Sequence, residues 1–167
     1  VKSSGITHSI SDPPVFTAGS GYRINSGFLV GPSVDLSGES MVGVDLSGEN
    51  LTSAIFVNAD MSGANLYGTT LSYTIFTGAS FNKIRSGGRI QFVSQPTMPS
   101  SSYKLIPNGY NESVANSGFQ RFIVGPDSNC RGADFSGAYF DRVDLSGVDF
   151  TGASFTNVRS GIMRNTP

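Results

Sequence analysis

Between residues 34 and 83, large apolar side chains return at every fifth position, as Leu36, Met41, Leu46, Leu51, Phe56, Met61, Leu66, Leu71, Phe76 and Phe81. A second series runs Cys130, Phe135, Phe140, Leu145, Phe150 and Phe155. A strand alternates with a period of two and a helix with one of about 3.6, so neither accounts for a beat of five. Such a beat requires a solenoid in which each unit supplies one short side and one corner. The large residue then fills the axis of the coil.

The neighbouring columns agree. Two residues before each large position stands a small or β-branched residue, as at Val34, Val44, Ala54, Ala59, Ala64, Ala133, Ala138 and Val148. One residue before it is often Asp or Asn, as at Asp35, Asp45, Asn50, Asp60, Asn65, Asp134, Asp144 and Asp149. Two residues after it Gly is frequent, as at Gly38, Gly48, Gly63, Gly137 and Gly152. The small residue fits where backbones crowd, and Gly permits the turn at the corner. A disordered low-complexity tract would not hold its apolar residues in register.

The units VDLSG, ADMSG, ANLYG, ADFSG and VDFTG resemble the pentapeptide-repeat family, whose unit reads roughly Ala-Asp/Asn-Leu-x-Gly. The resemblance covers about half the chain and implies an all-β fold, a right-handed quadrilateral β-helix with four units per coil. The first series would then make two and a half coils and the second one and a half. At a strand spacing of ~4.8 Å the first stack is only ~12 Å tall. Stacks this short need covered ends.

A larger repeat surrounds the small one. Val1-Lys2-Ser3-Ser4-Gly5-Ile6 returns as Ile84-Arg85-Ser86-Gly87-Gly88-Arg89-Ile90 and as Val158-Arg159-Ser160-Gly161-Ile162. Phe28-Leu29-Val30-Gly31-Pro32 returns as Phe122-Ile123-Val124-Gly125-Pro126. These copies divide the chain into a capping linker (1–32), a first coil block (33–83), a second capping linker (84–126), a second coil block (127–157) and the start of a third linker (158–167). Tyr22-Arg23-Ile24 and Phe28-Leu29-Val30 flank Asn25-Ser26-Gly27, which predicts a β-hairpin in the first linker. The chain opens on Val1 and closes as a linker starts, which reads as a fragment of a longer array. Such arrays resemble proteins of aquatic bacteria and their phages.

Composition narrows the function. Charged residues make up 14% of the chain, and no apolar run is long enough to span a membrane. No signal peptide is visible. His8, the single histidine, lies in a Gly/Ser/Pro-rich linker, so no Ser–His–Asp or Cys–His set can be assembled. No phosphate loop, zinc pattern or EF-hand loop occurs. Cys130, the single cysteine, falls in the axial column as a small apolar residue and leaves the redox compartment open. Asn50-Leu51-Thr52 and Asn111-Glu112-Ser113 match the glycosylation sequon, a triplet common by chance. We therefore expect no enzyme, no cofactor, no metal, no nucleic-acid partner, no membrane insertion and no small-molecule substrate.

Charge separates two remaining classes. Residues 33–82 carry Asp35, Glu39, Asp45, Glu49 and Asp60 with no Lys or Arg, and residues 127–157 carry a net charge of −3. The resemblance brings in regulators that mimic DNA with an acidic rod and bind topoisomerases. DNA presents one charge per ~1.7 Å, whereas the five acids here scatter over four faces. The expected function is a non-enzymatic modular scaffold that acts through protein partners or self-assembly, in an extracellular or virion-associated setting. The DNA-mimic regulator is the alternative.

Two departures from the repeat mark candidate sites. Glu39 and Glu49 occupy the small-residue column, where a buried carboxylate needs a partner such as Lys2, Arg23 or a cation. Ile55 and Ile75 are twenty residues apart in an outward column, with Val57 beside them, and suggest a surface covered either by another chain or by one of this chain's own linkers.

Overall fold

The computed structural model describes residues 20–88, 90, 92–107 and 121–161. Its axis is the five-residue column. All ten large residues from Leu36 to Phe81 are buried, most of them completely. The small column, with Val34, Ala54, Ala59 and Ala64, is buried beside them.

Each unit places one residue in a parallel bridge to the unit twenty positions on. One side of the coil stacks Asp35, Ile55 and Ile75; the next stacks Ser40, Asp60 and Ser80; the third stacks Asp45, Asn65 and Arg85; the fourth pairs Asn50 with Thr70. The ladder is regular: Leu36 N donates to Ile55 O at 2.8 Å, and Ile55 N donates to Val34 O at 2.8 Å. Within each corner the chain closes on itself, as Val44 N does on Met41 O at 3.1 Å.

Two devices make the corner. Gly38, Gly48 and Gly63 take φ values of 73°, 71° and 70° there, and Ser53, Asn58, Tyr73 and Lys83 are held in the same left-handed region without being glycine. The Asp or Asn before the axial residue clamps the turn: Oδ1 of Asp35, Asp45, Asp60, Asn65 and Asp134 each accepts the N–H two residues on. This Asx turn is the physical reason for the Asp/Asn column.

The expected hairpin is present. Strand β1 (Arg23–Asn25) pairs antiparallel with β2 (Phe28–Val30), and Ser26 and Gly27 turn between them at φ 52° and 82°. Strand β3 (Lys104–Pro107) pairs antiparallel with β4 (Arg121–Val124). Strands β5 (Tyr139–Phe140) and β6 (Arg159–Ser160) pair in parallel in the second block.

Residues 84–126 do more than separate two stacks. Thr97 bridges Ile75, and its carbonyl accepts Phe76 N at 2.8 Å, so the segment supplies the next rung of that side. Asn129 bridges Arg85 directly, and Asp149 bridges Asn129. The third side is thus one ladder of five rungs through both blocks, and the described residues of 86–128 belong to a widened coil between them. Backbone donors and acceptors at the end of the first block dictate this, because they are satisfied by the second block.

One expectation needs correction. The axial column of the second block is not buried throughout. Cys130, Phe135 and Phe140 are buried, Leu145 and Phe150 only partly, and Phe155 is 44% exposed. Among the described residues, the last coil has no further coil below it to close the axis.

Candidate functional site

The carboxylates of the small column diverge. Glu49 is 4% exposed, and Arg23 of β1 donates to its Oε1. The hairpin brings that guanidinium over the first coil, and Asn25 of the same strand donates to Asp45 O. Together Arg23, Ile24, Asn25, Asp45, Ser47 and Glu49 line a shallow concavity of about 410 Å³. A guanidinium already neutralises the carboxylate, so the concavity works as a latch between hairpin and coil. Glu39 is only partly buried; its backbone keeps the register through Glu39 N to Leu36 O and Asp60 N to Glu39 O. The two glutamates sit at corners two sides apart. Among the described residues no group of His, Cys, Asp or Glu is placed to hold a metal ion. Lys2 and His8 lie outside the described residues.

The aliphatic column is assembled as the spacing requires. Ile55 and Ile75 are bridged neighbours on one side, with Thr97 as the next rung. Val57 O accepts Gly38 N at the adjoining corner. All three are partly buried.

The repeat aspartates are committed to corners. The Ser or Thr hydroxyl two residues on, with its backbone N–H, holds Asp45, Asp60, Asp134, Asp144 and Asp149 below the usual carboxylate range. They are spread around the solenoid as structural acceptors. Cys130 is 2% exposed, and burial pushes its thiol up to about 12. No helix among the described residues is long and apolar enough to cross a membrane.

Sequence reasoning missed two exposed surfaces. One is the open end at Phe155. The other is Tyr67, 55% exposed, beside a groove where the widened coil leaves the ladder. Its signal lay in ANLYG, where Tyr67 replaces the Ser or Thr of the other quoted units.

The family model for pentapeptide repeats matches eight copies, over residues 33–66, 45–82 and 127–159, about half the chain. No curated protein matches. Among solved structures, the chain is similar to the pentapeptide repeat protein Rfr23 from the cyanobacterium Cyanothece 51142, at 15% identity and a TM-score of 0.33, covering 78% of this chain and 58% of that one. It is similar to QnrB1, a plasmid-mediated fluoroquinolone resistance protein, at 15% identity and a TM-score of 0.26, covering 76% and 63%. A third is HetL, a pentapeptide repeat protein involved in heterocyst differentiation regulation from Nostoc sp. strain PCC 7120, at 19% identity and a TM-score of 0.22, covering 76% and 60%. The chain thus spans less than two thirds of the length of each.

Proposed function

Because the chain belongs to the pentapeptide-repeat family of right-handed quadrilateral β-helices, a family of repeat scaffolds, we propose that it serves as a rigid non-enzymatic scaffold in an extracellular or virion-associated assembly. The observation that carries this reading is the ladder Asp45, Asn65, Arg85, Asn129 and Asp149, which couples both repeat blocks into one stiff rod. Residues 20–32 act as a cover, and the described residues of 84–126 as a widened coil, within that rod. Ile55, Val57 and Ile75 form its contact surface toward a partner protein or a second copy. Three branched aliphatics on one side have no role in filling the axis, which Leu36, Phe56 and Phe76 already close.

The acidic pattern supports this reading over DNA mimicry. Asp35, Asp60 and Asp45 stand on three different sides, and Arg85 interrupts the third. Glu49 is withdrawn from the surface by Arg23. The test has two arms. Ile55→Ser with Ile75→Ser should leave the circular dichroism spectrum unchanged and abolish self-association in sedimentation velocity. A double variant that associates as the parent does would remove the contact surface, and a monomeric parent chain would rule out the second copy and leave a partner protein as its occupant. Inhibition of gyrase supercoiling at stoichiometric protein would replace the scaffold reading with the regulator.

A further inference from the structure

The inter-coil ladder opens at one corner. On the third side Leu66 N donates to Arg85 O at 2.8 Å, and Cys130 N donates to Asp149 O at 2.9 Å. Arg85 and Asn129 are bridged between these rungs. Beyond that bridge, among the described residues, no backbone bond joins Ser86–Gly88 to Cys130–Gly132. Strand β4 engages this corner instead: Ile123 N donates to Ser86 Oγ at 2.8 Å, and Arg121 N donates to Gly88 O at 3.0 Å. Phe122 packs so closely on Gly87 that an added Cβ would lie 2.8 Å from its ring. The split leaves a groove of about 610 Å³ between the coils, within the range of small-molecule sites (roughly 300–1,000 Å³).

The groove is lined by recognition chemistry the repeat does not otherwise supply. Tyr67 lies against Gly88, where a Cβ would come within 2.8 Å of its ring, so only glycine lets the ring settle on the backbone. Arg85 and Arg131 both line the groove, against the single carboxylate of Asp134. Arg131 reaches Asp149 at 3.2 Å, but both partners are well exposed, and such a pair is weak enough to exchange for a ligand anion. A guanidinium fork matches the oxygen pairs of carboxylate, phosphate and sulfate. Asn129 also lines the groove; its Oδ1 accepts Arg131 N at 3.2 Å in the corner turn, which leaves its amide NH2 for a ligand.

We propose that this groove binds a small ligand in which an anionic group is joined to a ring, the class of a sugar acid. Arg85 and Arg131 take the anion and Tyr67 stacks on the ring. The site is independent of the scaffold role, because the aliphatic column lies on another side of the coil.

The test is an amide-shift titration of the full chain with glucuronate, glucose and inorganic sulfate as separate probes. Glucuronate should shift Tyr67, Arg85 and the 129–132 amides selectively, and both glucose and sulfate should bind at least tenfold more weakly. R85Q and R131Q should each raise the glucuronate Kd about tenfold, the loss of one charge-assisted bond, with melting temperatures unchanged. Y67A should weaken glucuronate without weakening sulfate. The proposal is overturned if glucuronate shifts are absent or scattered over the surface, if R85Q and R131Q leave them unchanged, or if glucose or sulfate matches glucuronate.

Discussion

Phe76 and Phe155 occupy the same column of the repeat, yet their truncation to alanine should cost different amounts. Phe76 is completely buried, stacked on Phe56 at 5.2 Å and edge-on to Phe81 at 5.1 Å. Phe155 stacks on Phe135 at 5.6 Å and meets Phe150 edge-on at 5.2 Å, but 44% of it faces solvent. Removing a buried Phe costs about 3–5 kcal/mol through lost transfer energy and the cavity left behind. Enclosure by coils on both sides places Phe76→Ala near 4 kcal/mol. Phe155 buries little more than half its surface, and an open site leaves no sealed cavity, so its loss should be about 1–2 kcal/mol. Urea unfolding followed by far-UV circular dichroism measures both, since the chain has no tryptophan to report. With a slope of about 2 kcal/mol per molar, Phe76→Ala should lower the midpoint by roughly 2 M and Phe155→Ala by less than about 1 M. Equal losses would refute the claim that the axis is dry at Phe76 and open at Phe155.

Three further outcomes are expected. The corner aspartates have folded values below the usual 3.8, so their stabilisation is complete above that value and is lost as pH falls through and below it. A melting series from pH 6 to pH 3 should hold level and then drop, and Asp60→Asn with Asp134→Asn should flatten the drop, because Asn65 and Asn129 already make the same turn; an unchanged acid limb would count against the clamp. Arg23→Ala should cost more than Glu49→Ala, about 1–2 kcal/mol after allowance for the exposed guanidinium, because it strands a buried carboxylate whereas alanine suits the column of Ala54 and Ala59; thermal melts that rank them in reverse would dismiss the latch. Cys130 should react with a thiol reagent at pH 8 over a hundredfold more slowly in the native chain than in urea, and native labelling at the rate of a free thiol would show the axis to be wet.

The beat of five by itself determined the architecture. It works because a solenoid repeats one local environment, so each column of the sequence corresponds to one place in space, and Leu36 to Phe81 could be assigned to the axis by phase alone. The corner chemistry was half legible. Glycine announced the left-handed turn, but the aspartate clamp emerges only from the backbone N–H that meets each Oδ1, and the left-handed Tyr73 and Lys83 only from their backbone angles.

What the tertiary structure decided is where the repeat is interrupted. Phase cannot tell whether Cys130 restarts a separate stack or resumes the first, since both keep the same period. The open N–H and C=O groups at Lys83 and Ile84 settle that by bonding to Asp127 and Asn129. The partner of Glu49, the splitting of the corner by β4 and the solvent at Phe155 are likewise contacts between residues far apart in sequence. A periodic pattern fixes what each unit shares with its neighbours; contacts made where the period breaks depend on chain geometry that no local rule encodes.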